Sequence, residues 1–260
     1  MLIGLATIVA LFTLLWLVSL IIKNASIVDI WWGLGFVVMA GAYVLTTDGF
    51  GPRRILTVTL VTLWGLRLAW YIGSRNIGHG EDFRYVKWRQ ENGTSWWWYS
   101  YFKVFLMQSV IGWVVGLPLY FAIRAPQPAA LTLWDIVGTV VFGAGFLFEA
   151  IGDGQMRQFK ANPANKGRLM NAGLWRYTRH PNYFGEAVLW WGLGVIAAGT
   201  AGGLVSLVGP AIITFLLLKV SGVSLLEKTL TVTKPGYAEY IATTSSFVPW
   251  LPASQGGSAA

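Results

Sequence analysis

Residues 153–186 read DGQMRQFKANPANKGRLMNAGLWRYTRHPNYFGE and form the longest polar interval of a chain that is otherwise dominated by apolar runs. Two acids, Asp153 and Glu186, bracket this interval. It contains six cations: Arg157, Lys160, Lys166, Arg168, Arg176 and Arg179. Two interpretations fit the composition. The interval is either a cytoplasmic loop whose cations set membrane topology, or part of a pocket that binds an anion.

The composition of the 260-residue chain predicts a polytopic membrane protein. Hydrophobic residues make up 55% of the chain and charged residues only 12%, whereas a globular chain is about 25% charged. The net charge of +8 does not indicate nucleic-acid binding, because the cations lie between apolar segments. The absence of Cys excludes disulfides and thiol catalysis, and the presence of only two His residues argues against a His-rich metal site.

Apolar runs of about 20 residues are long enough to cross a bilayer core of about 30 Å. Seven such runs predict an all-α integral membrane protein with seven transmembrane helices: 2–22, 27–46, 55–73, 102–123, 132–152, 184–199 and 203–222. The first run has no positive n-region and no small-residue cleavage site, so we interpret it as a retained helix. The last two runs are joined only by GTAGG, which predicts a tight helical hairpin.

The distribution of Lys and Arg predicts the orientation. Most of these residues fall in the loops between spans 3 and 4 and between spans 5 and 6, or after span 7. The positive-inside rule makes these two large loops and the C-terminus cytoplasmic and places the N-terminus outside, provided that the number of spans is odd.

Among the charged residues within or beside the predicted spans, five on the cytoplasmic half are singled out: Asp29, Arg67, Glu149, Asp153 and Glu186. Charges at membrane depth are costly, so each is a candidate for function, although any single one also fits a helix–helix ion pair. The segment GEDFRYVKW, which contains Tyr85, is either an amphipathic interfacial helix or part of a cytoplasmic site. The run Trp96–Trp98 is typical of an aromatic belt.

The polar residues of the opening interval recur at helical spacing. Asp153, Arg157 and Lys160 share one face if span 5 continues as a helix beyond the membrane. Asn182, Glu186 and Trp190 follow one another at intervals of four residues on span 6.

Pro181 suits the first turn of span 6, which would place the positive end of the helix dipole beside Arg179 and His180, a seat for phosphate. Asn182 and Glu186 suit a carboxamide. No G-x-G-x-x-G or P-loop motif is present, so a nucleotide site here would be intramembrane and non-Rossmann.

Several motifs carry a family resemblance. GLWRYTRHPNYFGE (173–186) and LLEKTLTVTKPGYAEYIATTSSFVPWLP (225–252) resemble the C-terminal half of the steroid 5-alpha-reductase family. Over residues 24–252 the chain resembles bacterial members of that family, including the segments NASIVDIWWGLGF and WGLRLAWYIGSRNIGHGEDFRY. The resemblance implies one membrane domain over 1–252, with a cofactor-binding half at about 132–252. We predict a disordered tail at 253–260.

The resemblance further implies that NADPH binds from the cytosol along helices 5 to 7 and their loops. The residues expected to bind it are Asp153, Arg157, Lys160, Lys166, Arg168, Arg179, His180, Asn182, Tyr183, Glu186, Glu227 and Lys228. The implied reaction is hydride transfer from NADPH to the 4,5 double bond of a 3-oxo-4-ene steroid or a similar lipophilic enone. The implied setting is a bacterial inner membrane, with a monomeric protein among lipids and an active site open to the cytoplasm.

Three residues are expected to be catalytic. Asp29 stands near the position of a family Glu and could donate a hydrogen bond to the developing enolate oxygen only if protonated, which burial favours. Arg67 matches a family arginine. Trp64 stands where the family has a Tyr, and either Tyr85 or Tyr71 is a candidate to take over its role, unless the oxyanion donor is a different group. Trp32, Trp64 and Trp190 are expected to contact the substrate.

Two alternatives stay open. Membrane isoprenylcysteine and phospholipid methyltransferases, which use S-adenosylmethionine, carry a similar Arg-His-Pro-x-Tyr followed by a hairpin. They tend to have paired Glu residues after the hairpin, where this chain has Glu227 followed by Lys228. The other alternative is a lipid-binding or scaffold protein without catalytic activity.

Overall fold

The computed structural model of the protein describes residues 1–220 and 222–253, apart from the side chains of Leu225 and Lys228. Throughout these residues the regular elements are helices, as predicted. The contacts between Cα atoms divide the chain into two compact units. Unit 1 consists of Met1–Ile136 and Gly194–Gly209, and unit 2 consists of Val137–Leu193 and Pro210–Ala260. The predicted tail lies almost entirely outside the described residues.

Unit 1 begins with three long apolar helices, α1 (Leu2–Ile22), α2 (Ile27–Thr46) and α3 (Gly51–Asn76). The first two have the predicted bounds, and the third extends the predicted run at both ends. Apolar side chains on the outer face of α1 are exposed, as expected for a helix that contacts lipid.

The predicted fourth span is not one regular helix. After α4 (Phe83–Asn92) the chain forms a series of helical segments: α5 (Trp96–Ser100), a π-helical turn (Tyr101–Leu106), α6 (Met107–Val115) and α7 (Leu117–Arg124). The axis bends by 45° between α6 and α7. The cause is local, because Gly116 ends α6 and Pro118 lacks the N–H that would continue the hydrogen-bond ladder.

Two helices begin in one unit and end in the other. Helix α8 (Leu133–Ala161) starts in unit 1 and α9 (Pro181–Ala198) starts in unit 2. Helix α8 contains predicted span 5 and continues as a helix through the polar sequence that follows it, as the spacing of its charges required. Pro181 is the first residue of α9, also as predicted.

Within unit 2, α8 and α9 pack backbone to backbone at two glycines. A Cβ atom on Gly145 would lie 2.4 Å from the nitrogen of Leu189, and one on Gly185 would lie 2.4 Å from the nitrogen of Glu149. Neither distance is possible for a real side chain. Glycine at these two positions therefore sets how closely α9 approaches α8.

The predicted hairpin after α9 is confirmed. The chain turns at Gly199–Gly202 and returns through a 3₁₀ turn (Gly203–Leu207), α10 (Val208–Phe215) and a π-helical turn (Leu216–Val220). Trp191 Nε1 donates a hydrogen bond to Thr214 Oγ1 at 3.2 Å. Two short helices, α11 (Val223–Thr233) and α12 (Tyr237–Thr243), follow.

Five helical stretches in the described residues are long and apolar enough to cross a membrane: Leu2–Ile22, Ile27–Thr46, Gly51–Asn76, Leu133–Ala161 and Gly203–Val220. The bent pair Phe83–Val115 and Leu117–Arg124 makes a sixth if it counts as one span. The chain is thus a multi-pass membrane protein. Helix α9 is helical as predicted but falls outside this set, so the seventh crossing and the orientation that depends on it stay predictions.

Candidate functional site

The turn between α1 and α2 is fastened to the segment before α4 in unit 1. The Ala25 N–H donates to Glu81 Oε1 at 2.7 Å, and the Asp82 N–H donates to Ser26 Oγ at 2.7 Å. Arg89 donates to both oxygens of Glu81, at 2.9 and 2.8 Å. These bonds fix α4 against the first turn of α2, where Asp29 lies.

Asp29 accepts a hydrogen bond on each carboxylate oxygen. The Tyr85 hydroxyl donates to Oδ1 at 2.6 Å, and Arg84 Nη2 donates to Oδ2 at 3.0 Å. Tyr85 is buried, and Gln108 of α6 lies beside its hydroxyl. Asp29 is thus held between a phenol and a guanidinium, and its expected role as a protonated donor stays a prediction.

Asp82 starts α4 and holds Arg84 in place. Its Oδ1 accepts from the Arg84 N–H at 3.0 Å, as a helix N-cap does, and from Arg84 Nε at 2.8 Å. Burial tends to raise the pKa of the Asp82 carboxyl, but the bonds and charge of Arg84 outweigh this and lower the pKa overall. Arg84 therefore bridges two carboxylates, Asp29 and Asp82.

Of the two interpretations of GEDFRYVKW, the amphipathic helix is confirmed, and the contribution to a cytoplasmic site stays a prediction. Helix α4 is amphipathic, with Phe83 exposed on one face and Tyr85 buried on the other. The aromatic run after it divides similarly, because Trp97 and Trp98 are exposed while Trp96 is buried beneath Arg89, whose guanidinium lies 5.1 Å from the ring centre.

The other residues of unit 1 that were predicted to contact the substrate or to be catalytic lie on α2 and α3. Trp64 is fully buried and meets Phe36 edge to face, with ring centres 5.7 Å apart. Trp32 meets the same Phe36 at 5.3 Å. Arg67 is half-buried, three residues after Trp64. Trp64 thus belongs to the packed core of unit 1.

In unit 2, Arg179 and His180 converge on Glu227. Arg179 Nε donates to Glu227 Oε1 at 2.7 Å, and His180 Nε2 lies 3.2 Å from the same oxygen. Burial tends to raise the pKa of Glu227, but the bonds to His180 and Arg179 lower it to about 2. Arg179 also donates through Nη1 to the carbonyls of Ile241 and Thr244. These contacts show that Arg179, predicted to hold phosphate, holds the C-terminal segment.

The remaining residues predicted to bind the cofactor divide by exposure. Arg157, Lys160, Lys166 and Arg168 are exposed on the α8 extension and the loop after it, whereas Asp153 is buried. Tyr183 stacks on His180, with planes 11° apart and ring centres separated by 5.6 Å. The side chain of Lys228 lies outside the described residues.

Asn182, in the first turn of α9, is half-buried and has a buried side-chain oxygen with no donor among the described residues. Asn182 Oδ1 is inaccessible to solvent and has no hydrogen-bond partner in the described part of the chain. Glu186, one turn later, is buried, and Trp190 is fully buried. A buried carbonyl without a donor costs about 1–3 kcal/mol, so this position suits a ligand that brings an N–H group.

Sequence reasoning missed three features. Arg84 and Gln108 were not singled out, although a Gln inside a predicted span is itself a signal. A cleft of about 530 Å³ in unit 2 lies between residues 169–176 and α12, and none of the residues predicted to bind the cofactor lines it.

Within the described chain, no group of three or more His, Asp or Glu side chains is arranged to bind a metal.

Comparison with known proteins gives a family and two relatives. A family model described as a protein of unknown function (DUF1295) matches residues 15–244. An uncharacterized protein of Schizosaccharomyces pombe is 30% identical over 203 residues, which cover 68% of this chain and 58% of the relative. A probable O-methyltransferase of Ustilaginoidea virens is 33% identical over 67 residues, 26% of this chain and 24% of the relative. The chain thus spans less than two thirds of either relative, and no solved structure matches it.

Proposed function

The chain belongs to the DUF1295 family of proteins of unknown function, and we propose that it is a membrane reductase that uses NADPH to reduce the double bond of a steroid-like or other lipophilic enone. Two kinds of observation support the proposal: the sequence resemblance to steroid 5-alpha-reductases, and the buried polar side chains near Asn182 and near Asp29.

The buried acceptor Asn182 Oδ1 carries the proposal. A nicotinamide carboxamide brings an N–H donor of the kind that this oxygen lacks, and it also brings an acceptor for the Asn182 amide N–H. Glu186, buried one turn further along α9, is a second acceptor on the same helix. The residues present therefore fit the carboxamide end of the cofactor.

The phosphates of the cofactor would meet the exposed cations of the same unit. Lys160, Lys166 and Arg168 lie on the α8 extension and the following loop, where an anionic ligand reaches them from water. The N-terminus of α9 adds positive dipole potential near Pro181. In this proposal Arg179 and His180 do not bind phosphate. Both contact Glu227, and Arg179 also holds the C-terminal segment through the carbonyls of Ile241 and Thr244.

Bound NADPH would supply the hydride, and Tyr85, which was expected to be catalytic, is proposed as the proton donor. The Tyr85 hydroxyl donates a hydrogen bond to Asp29 Oδ1, and the two oxygens are 2.6 Å apart. The Asp29 carboxylate orients that hydroxyl, and Arg84 orients the carboxylate through its other oxygen. To stabilise a developing enolate oxygen or to protonate the adjacent carbon, the phenol would turn its single proton from Asp29 to the substrate, and Arg84 would still neutralise the Asp29 carboxylate.

Ligand binding to the purified protein in detergent tests the proposal. We expect NADPH to raise the melting temperature, because a ligand that binds only the folded state stabilises it. Asn182→Ala should fold but lose most of this stabilisation, since it removes the unpaired acceptor. Asn165→Ala is the matched control, because the Asn165 side chain already has a partner and donates to the Phe159 carbonyl of α8 at 2.9 Å.

Two results would contradict the proposal. One is a protein that neither binds NADPH nor oxidises it with any 4-ene-3-oxo steroid or simpler lipophilic enone. The other is full NADPH stabilisation of the Asn182→Ala variant, which would remove Asn182 from the cofactor site.

A second candidate function is methyl transfer from S-adenosylmethionine. The observation in its favour is the 67-residue match to a probable O-methyltransferase. The same melting experiment separates the two functions: stabilisation by S-adenosylmethionine and not by NADPH would favour the transferase.

The proposed setting is a bacterial inner membrane, with the cation-rich loop after α8 in the cytoplasm, where NADPH is found. The positive-inside rule supports that placement. A reporter fused at the loop and at the C-terminus tests it, and an external reading for the loop would exclude a cytoplasmic cofactor site.

A further inference from the structure

The cleft of unit 2 has the size of a ligand site. Its volume is about 530 Å³, and small-molecule sites commonly measure about 300–1,000 Å³. One wall comes from the loop before α9 and includes Asn171 and Arg176. The other comes from α12 and includes Glu239 and Thr243. The buried ring of Tyr240 forms part of the lining.

Two opposite charges line the cleft without satisfying each other. Arg176 and Glu239 are both exposed, and neither side chain has a hydrogen bond or ion pair to any side chain or backbone group that the structure describes. This is unlike Arg84, Arg89 and Arg179, which are all tied to carboxylates. A guanidinium with its donors unused suits a phosphate group, and a carboxylate with its acceptors unused suits hydroxyl or amino donors.

A phosphorylated adenosine has both kinds of group, because its phosphate is anionic and its ribose hydroxyl and exocyclic amine are donors. The position of the cleft fits as well. Arg176 precedes Asn182 by six residues, so their Cα atoms are at most about 20 Å apart. An extended dinucleotide has a comparable length. It could therefore reach from the cleft to the buried acceptor on α9.

We propose that this cleft binds the adenosine 2′-phosphate end of NADPH, with Arg176 on the 2′-phosphate and Glu239 on the donors of the nucleoside. The inference rests on the proposed function and adds to it the residue that selects NADPH over NADH. The two cofactors differ only in that phosphate. Arg176 should therefore control the ratio of their affinities.

Arg168 is another arginine that could bind a phosphate of the cofactor. It is an exposed cation in the same loop, and the family resemblance assigns it to phosphate. If Arg168 contacts the pyrophosphate, which both cofactors share, its removal weakens both equally. The ratio of NADPH affinity to NADH affinity therefore distinguishes the two arginines, whereas the absolute affinity does not.

The experiment is calorimetric titration of the full-length protein in detergent with NADPH and with NADH. Arg176→Ala should weaken NADPH binding about tenfold and leave NADH binding unchanged, because a hydrogen-bonded charge pair to the 2′-phosphate is lost. Arg176→Lys should keep part of the preference. Arg168→Ala should leave the ratio as it is in the parent protein. Unchanged melting temperatures without ligand establish that the variants are folded.

Failure of this inference is distinct from failure of the proposed function. If the parent protein binds NADPH and Arg176→Ala preserves both its affinity and its ratio to NADH, the cleft assignment is wrong and the reductase proposal stands. The assignment is equally wrong if Arg168→Ala alone abolishes the preference. If the parent protein binds S-adenosylmethionine and not NADPH, both are overturned.

Discussion

Units 1 and 2 each contain a carboxylate that meets an arginine and an aromatic side chain with an exchangeable proton. In unit 1, Asp29 accepts from Arg84 at 3.0 Å and from Tyr85 at 2.6 Å. In unit 2, Glu227 accepts from Arg179 at 2.7 Å and lies 3.2 Å from His180 Nε2. The two sets are similar in residue type, but the sequence predicted a catalytic role for Asp29 and Tyr85 and cofactor binding for Arg179, His180 and Glu227.

The difference lies in what else each arginine binds. Arg84 uses its other donors on the side chain of Asp82, so its cluster is built from side chains that orient one another. Arg179 uses its other donors on the backbone carbonyls of Ile241 and Thr244. Arg84 therefore orients the side chains of Asp29 and Asp82, whereas Arg179 fixes the backbone of the C-terminal segment. We therefore propose that the Asp29 cluster serves the reaction and that the Glu227 cluster holds the C-terminal segment in place.

Replacing Arg179 should have the largest effect and tests the architectural assignment. Arg179→Ala leaves Glu227 and two carbonyls without their buried donor, so we expect a loss of about 3–5 kcal/mol in the free energy of unfolding. The melting temperature should fall by roughly 10 °C. Arg168→Ala, which removes an exposed arginine, is the control and should change it little. A stable Arg179→Ala variant that has lost only NADPH affinity would reverse the assignment.

Replacing Tyr85 tests the chemical assignment. Tyr85→Phe removes the proton donor, and we expect the turnover number for enone reduction to fall about a hundredfold, as for loss of a general acid. The dissociation constant for NADPH should stay unchanged. Tyr101→Phe is the control, because it removes a hydroxyl of unit 1 that lies 3.3 Å from Thr13 Oγ1. Undiminished turnover in Tyr85→Phe would leave the Asp29 cluster without a catalytic role.

The same contrast shows what sequence could predict. Helices α1 and α2 were predicted to the residue, because long apolar runs between polar turns leave few alternatives. The bend between α6 and α7 was missed, although Gly116 and Pro118 signal it, because the run was judged by hydropathy alone. Hydropathy measures whether a segment can enter a bilayer, not whether its hydrogen-bond ladder is continuous.

The candidate residues were predicted better than their partners. Asp29, Tyr85, Arg179 and Glu227 were all singled out, but sequence does not show which cation reaches which acid. Arg84 comes from 55 positions beyond Asp29, and Arg179 precedes Glu227 by 48. Such pairings depend on how the helices pack. These pairings determine whether a charged residue is available for catalysis or instead holds two parts of the chain together.

The smallest expected effect is a pH dependence of unit 2, which tests whether the Glu227 cluster is ionic. Burial alone would raise the pKa of Glu227, but His180 and Arg179 lower it to about 2, from an ordinary value of 4.5. A carboxyl whose pKa is lowered in the folded state stabilises that state fully above its ordinary pKa. The contribution is then lost as the pH falls through the folded-state value.

The melting temperature of the parent protein should therefore exceed that of Glu227→Gln most at neutral pH, and the gap should narrow between about pH 4.5 and pH 2. Glu91→Gln serves as the control, because Glu91 lies on the surface 3.8 Å from Lys87 and a pair of that kind contributes little. A gap that stays constant with pH would mean that Glu227 acts through neutral hydrogen bonds. The cluster would then still hold the C-terminal segment through the carbonyl contacts of Arg179, but without a charge pair at its centre.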